Sequence, residues 1–290
     1  MTSGAGKSSA LAAIQASGRA DRPSHAGALV SNSSPDGAQV AVGVKYGEVA
    51  QILFQQVAFN APWRISARVM NETTNSKPRG RWVFRGHSDI EYKLVSSVGR
   101  GSHTSRSREK YEQSLFEIFQ REAHGFLATL PASDWEWLSL AQHHGPPTRL
   151  LDWTHNPLAA LYFAVEANPE LDGQVFALSA PGKASASVRA APPFNIKYSV
   201  KYYPNIVTQR IRAQEGVFVA CAELEVPLDR ALRGDWRVES LRIPASRKEH
   251  LRYELYRLGV HASSLFPDLD GLASRIRWQH GISSPFETAI

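Results

Sequence analysis

Three stretches of the sequence carry residue types at spacings that could do chemistry. In Phe84-Arg85-Gly86-His87-Ser88-Asp89 an arginine closes an apolar run and a glycine follows it. A guanidinium there offers a two-pronged donor to a phosphate or carboxylate, and the glycine lets a ligand approach the backbone. The same arrangement also serves to staple a loop through an ion pair. The second stretch is Gln142-His143-His144-Gly145-Pro146-Pro147-Thr148-Arg149-Leu150-Leu151-Asp152-Trp153-Thr154. Its adjacent histidines would point to opposite faces of an extended chain, which suits a metal poorly. No HExxH pattern and no cysteine other than Cys221 supports a zinc set, so no metal is expected. Arg149, Asp152 and Thr154, set in an apolar strand that runs into an apolar helix, read instead as the wall of a binding cleft. The third stretch, Arg210-Ile211-Arg212-Ala213-Gln214-Glu215-Gly216, places an amide and a carboxylate side by side before a strand. That carboxylate suits a general base or a group stabilising a cationic transition state. It equally suits neutralising Arg210 or Arg212, and spacing leaves both open.

The elements that must position these groups follow from pattern. Trp82-Val83-Phe84 reads as a strand ending in a turn. Residues 108–127 carry Tyr111, Leu115, Ile118, Phe119 and Phe126 near helical spacing. A second helix is expected over 134–142 with Asp134 as its N-cap, and Pro146-Pro147 then forces extended chain. Pro157 opens a buried helix over 158–165, and Asp172-Gly173 turns into a strand over 174–178. Residues 181–193 read as a loop, 217–226 as a strand, and 247–258 as a basic helix capped by Gly259. The run Ser263 to Leu272 reads as a turn packing Leu265 and Phe266, and its two aspartates lack calcium-loop spacing. Strand and helix are mixed without regular βαβ alternation. The expected fold class is α+β, with a mainly antiparallel sheet core and flanking helices.

Composition narrows the function classes. The 290 residues are 43% hydrophobic and 21% charged, an ordinary globular balance that excludes collagen-like, wholly disordered and disulfide-scaffold proteins. No apolar run approaches the eighteen or so residues of a membrane span, so no membrane partner is expected. A single cysteine fits a reducing, cytoplasmic setting. Thirty-three basic against 27 acidic residues give a net charge of +6, and the pI is near 9.5, which favours anionic partners. The first 45 residues are rich in Ala, Gly, Ser and Pro and read as a flexible tail, followed by one domain over 46–290. Within the tail, Gly4-Ala5-Gly6-Lys7-Ser8 resembles half of a phosphate loop but lacks the earlier glycine and buried strand of a working one.

Taken together with Asn156-Pro157-Leu158-Ala159-Ala160-Leu161-Tyr162-Phe163-Ala164, the first two stretches resemble the bacterial FRG domain family, named for the triplet seen here as Phe84-Arg85-Gly86. Arg210-Ile211 with Gln214 and Gly216, and Ser264-Leu265-Phe266-Pro267-Asp268-Leu269-Asp270-Gly271, extend the likeness, so that it spans about 80–275. The order of the three stretches is in turn similar to ADP-ribosyltransferases. Arg85 stands in the early-strand slot, Asp152-Trp153-Thr154 where Ser-Thr-Ser is usual, and Gln214-Glu215 where Glu-x-Glu is usual.

That resemblance implies an enzyme, a toxin or phage-defence effector, that cleaves NAD and transfers ADP-ribose to a protein or nucleic acid. Glu215, Gln214 and Arg85 would be catalytic. The ligand would be held by Arg85, Gly86, His87, His144, Thr148, Arg149, Asp152 and Thr154. Two other readings stand beside it. One is a nucleic-acid-binding or nuclease module, favoured by the basic pI and by arginines interleaved with aromatics, and opposed by the lack of clustered acids for magnesium. The other is a ligand-sensing domain without catalysis.

Overall fold

The computed structural model describes residues 82–100, 107–180, 184–205 and 208–281. The expectations for the tail, the 4–8 run, a helix starting at 49–54 and a loop at 71–79 fall outside the described residues. In chain order the elements are β1 (Trp82–His87), α1 (Arg108–Ala123), α2 (Asp134–His144), β2 (Leu150–Thr154), α3 (Pro157–Val165), β3 (Gly173–Ser179), α4 (Ala186–Ala190), β4 (Val200–Tyr202), α5 (Gln209–Ala213), β5 (Gly216–Ala220), β6 (Arg237–Ile243), α6 (Ala245–Arg257), α7 (Ala262–Leu265) and α8 (Leu269–Gln279).

The strands form one six-stranded sheet in the order β4-β5-β2-β1-β3-β6, antiparallel throughout, and the fold is α+β as expected. Alternation along β1 sends Trp82 and Phe84 into a core built with α3 and with Leu251 and Leu255 of α6. Val83 points the other way, into a core shared with Leu151, Trp153, Phe176, Val217 and Val219. Beyond β2, α1 and α2 cover Leu150, Phe218 and Ala220 with Phe116, Trp135 and Leu138.

The sheet's central junction is narrow. β1 runs beside β3 from Trp82↔Ser179 to His87↔Gln174, whereas β1 and β2 share the single register pair Phe84↔Thr154. Past Phe84 the two strands part, and polar side chains enter the gap. Helix α3 crosses β1 at backbone distance. A Cβ on Gly86 would lie 1.9 Å from the Ala160 carbonyl oxygen and 2.7 Å from the Ala164 amide nitrogen. The glycine of the triplet is therefore set by helix-on-strand packing, a reason different from ligand approach.

Several boundaries differ from the sequence expectation. Helix α1 buries Glu112 and Phe116, while Ile118 and Phe126 of the expected apolar stripe are exposed. The face turned inward follows a buried carboxylate, which an apolar count does not see. Ser133 caps α2, accepting from the Glu136 N–H, and Asp134 sits in the first turn. The expected 217–226 strand ends at Ala220. The 181–193 stretch contains the short helix α4, and the turn expected at Ser263 to Leu272 is built from α7 and the start of α8. Strands β4 and β6 were not legible, being three residues long in one case and mostly polar in the other.

Candidate functional site

The gap between β1 and β2 opens into a cleft of about 220 Å³. Phe84, Arg85 and Gly86 of β1 line it together with Asp152, Trp153 and Thr154 of β2, which pass beside them at the parted junction. Gln142 and His143 come from the last turn of α2, Phe163 from α3, and Arg210, Ile211 and Gln214 from α5 and its cap. Gly145, at φ +100°, ends α2 in the left-handed conformation that glycine adopts without strain.

Arg85 is held at two of its three nitrogens. Its Nε–H donates to His87 Nε2 at 2.9 Å, and Nη1 donates to the Asp152 carbonyl oxygen at 2.6 Å. The Asp152 carboxylate lies 3.8 Å from Nη1. Nη2 has no protein partner among the described residues. Burial lowers the arginine's pKa, and Asp152 opposes that shift.

Asp152 is oriented by a relay. Thr148 Oγ1 donates to Gln142 Oε1 at 2.5 Å, and Gln142 Nε2 donates to Asp152 Oδ2 at 2.8 Å. Thr148 is itself fixed from β2, because the Leu150 N–H donates to its hydroxyl at 3.0 Å. The Asp152 side chain keeps 58% exposure, so its charge faces solvent and cleft. His143 is kept below its ordinary pKa by burial, then by His144 and Arg210.

The α5 wall is stabilised from outside the first two stretches. Arg210 stacks 4.5 Å above the Phe266 ring, and Gln214 Nε2 donates to the Leu265 carbonyl at 3.1 Å. That leaves Oε1 as the polar atom Gln214 offers to a ligand. Thr154 Oγ1 donates to the Gln214 carbonyl at 2.5 Å and accepts from the Asn156 N–H at 2.9 Å. Its hydroxyl ties β2 to the α5 cap.

The expected site residues thus divide. Arg85, Gly86, Asp152, Thr154 and Gln214 meet on the cleft. His87 is buried behind Arg85, and Thr148 is buried behind Gln142. Arg149 points away into the interior, where Nε and Nη2 meet Glu112 Oε2 at 2.9 and 2.8 Å. His144 is exposed and outside the lining. Glu215 is also exposed and outside the lining, with backbone φ of +48° just after the α5 cap. Sequence reasoning did not single out Gln142, His143, Phe163 or Arg210 as site residues. For Arg210 the signal was present, since it stands four residues before Gln214 on what proved a helical face.

Among the described residues no group of three or more His, Cys, Asp or Glu gathers as a metal site, and no helix is long and apolar enough to cross a membrane. No curated protein and no solved structure matches the chain significantly, so the likeness to ADP-ribosyltransferases rests on the order of motifs alone. The family comparison covers β1 through the start of β3, stopping short of Arg210 and Gln214 and therefore short of the 80–275 span that the motifs suggested. It contains Arg85, the Gln142–Asp152 pair and the helix that Gly86 packs against: residues 80–173 match the FRG domain family.

Proposed function

We propose that the cleft is a nucleotide site, that its ligand is NAD, and that the protein transfers ADP-ribose from it. The observation that carries this reading is the pair of arginines from two elements, Arg85 of β1 and Arg210 of α5, lining one cleft with aromatic Phe84 and Phe163. Guanidinium forks suit phosphate oxygens, and aromatic faces suit a planar base. A volume of about 220 Å³ is below the usual range for whole drug-sized ligands, so the cleft encloses one half of a dinucleotide.

In this reaction the N-glycosidic bond breaks and nicotinamide leaves with the bonding electron pair as a neutral molecule. The ribose carbon bonds to an acceptor nucleophile, which gives up its proton. Positive charge develops on the ribose, and two arginines alone would oppose it. The lining carboxylate, Asp152, has the sign required, and Gln142 holds it in place. Gln214 Oε1 is a second acceptor for a ribose hydroxyl or an incoming nucleophile. Consumption of NAD is an activity that a toxin or phage-defence effector would use.

The alternative without chemistry is a sensing domain built on the same cleft. Incubating the full chain with NAD labelled in each half, with and without cell lysate, separates the two. Nicotinamide release with label transfer supports the transferase. Saturable binding without release supports the sensor. Absence of both removes the nucleotide from this site.

A further inference from the structure

We propose that His87 is a positioning residue for Arg85, acting as a neutral imidazole locked in one tautomer; this rests on the reading of Arg85 as a ligand-gripping group. The geometry is specific. His87 Nδ1 lies 3.0 Å from the Tyr92 carbonyl oxygen, an atom that can only accept, so the ring proton belongs on Nδ1. Nε2 then carries a lone pair, and the Arg85 Nε–H donates to it at 2.9 Å. An imidazolium would present N–H on both sides and oppose the guanidinium with a like charge.

The surroundings enforce the neutral form. His87 is 7% exposed, with its edge against the Phe176 ring of β3 at a centroid distance of 5.2 Å. The charged groups acting on it are Arg85 and Arg100, both cationic, and the Tyr92 carbonyl is its polar contact in the loop after β1. With Nε held by His87 and Nη1 by the Asp152 carbonyl, the guanidinium plane is fixed, and its Nη2 side is left to a ligand. A phosphate approaching that side meets N–H donors whose direction is already set, so fixing the plane is worth affinity.

The test uses the full chain as wild type, H87Q, H87A and H87F. Glutamine separates its acceptor and donor by one carbon, as imidazole does, so Oε1 can accept the hydrogen bond from the Arg85 Nε–H while Nε2 donates to the Tyr92 carbonyl oxygen. Phenylalanine keeps the contact with Phe176 and removes the acceptor, which covers the case in which H87A does not fold. Two quantities are read. One is the affinity for ADP-ribose by calorimetry. The other is solvent exchange of the Arg85 Nε–H resonance, assigned by its loss in R85K and followed without ligand. The expected result is H87Q within about threefold of wild type, and H87A and H87F weaker by roughly ten- to a hundredfold, as for loss of a hydrogen bond to a charged group. The resonance should be protected in wild type and H87Q and exchange rapidly in H87A and H87F. Wild-type affinity in folded H87A or H87F overturns the proposal, as does a resonance equally protected in them. If wild type does not bind ADP-ribose, the nucleotide reading fails, and the exchange comparison alone decides the role of His87.

Discussion

Glu112 of α1 receives Arg149 at both of its oxygens: Oε1 accepts the Arg149 backbone N–H at 2.6 Å, and Oε2 accepts its Nε at 2.9 Å. Both side chains are buried, and Nη1 of the arginine reaches the carbonyls of Pro193 and Phe194 at 3.3 and 3.4 Å. Burial raises the Glu112 pKa, and the Arg149 charge pulls it back. An ion pair this dry is costly to break from one side, because the remaining charge is left without a partner. Glu112→Ala should therefore cost about 3–5 kcal/mol in urea unfolding. Arg149→Ala should cost a similar amount, and the double variant less than the sum of the two. Additive losses would mean that the two side chains do not act as a pair.

This pair also shows what the sequence could and could not disclose. The polar density around Arg149 was visible, and it belongs partly to the cleft and partly to the core. Asp152 and Thr154 alternate with Trp153 along β2, yet all three reach the cleft because β1 and β2 part at Phe84. Alternation alone cannot reveal where a ladder ends. The partner of Arg149 lies 37 residues away, on a helix whose apolar spacing pointed to a different face. Glu215 suits a catalytic carboxylate by its place before a strand beside two arginines and by the slot the resemblance gives it, but adjacent residues at a helix cap diverge, and the left-handed backbone at Glu215 takes it off the lining. The antiparallel core and the helix after Pro157 were legible from pattern, whereas the turn expected after Phe84 is instead strand, since β1 runs on through Arg85 to His87 in register with β3.

Gly86 provides a packing test. Any side chain there drives a Cβ into the backbone of α3, at Ala160 and Ala164, and backbone cannot rotate aside. Gly86→Ala should destabilise by at least about 1–3 kcal/mol, as overpacking does. Gly145→Ala meets no neighbour within 4 Å and bears only the steric cost of its φ of +100°, about 1–2 kcal/mol. A loss at Gly86 smaller than that at Gly145 in denaturant unfolding would contradict the close approach of α3 to β1.

The stability of the protein should depend on His87 in acid. Burial, and after it the Arg85 charge, pushes His87 down from 6.5 to about 4. Between these values the unfolded chain holds more protons than the folded one, so stability rises with pH across the window. The neutral form's contribution is complete above about pH 6.5 and declines toward pH 4, by up to about 3 kcal/mol. Glutamine has no proton to gain. The stability of wild type minus that of H87Q, followed by urea unfolding from pH 7 to pH 4, should therefore fall as the pH falls. A flat difference would mean that His87 titrates alike in both states.

The arginines can be separated from the carboxylate by asking what each variant does to binding and to turnover. Arg85→Lys and Arg210→Lys replace a planar fork by a point charge and should weaken ADP-ribose binding, each by roughly tenfold or more. Asp152→Asn behaves differently. Its amide oxygen can still accept from Gln142 Nε2, as Oδ2 does at 2.8 Å, so the relay from Thr148 survives. What it loses is the negative charge, which acts chiefly when the ribose becomes cationic. A group acting mainly in the transition state lowers turnover while leaving ground-state binding intact. Asp152→Asn should accordingly bind ADP-ribose as tightly as wild type, or more so with a repulsion removed, and release nicotinamide more slowly by about two to three orders of magnitude. Glu215→Gln should remain within about threefold of wild type, since its side chain is exposed and outside the cleft. Gln214→Ala should fall between them, because it removes an acceptor and the bond to the Leu265 carbonyl together. If Glu215→Gln is the variant that loses turnover and Asp152→Asn is not, the cleft's carboxylate is the wrong one, and the chemistry lies at the turn between α5 and β5.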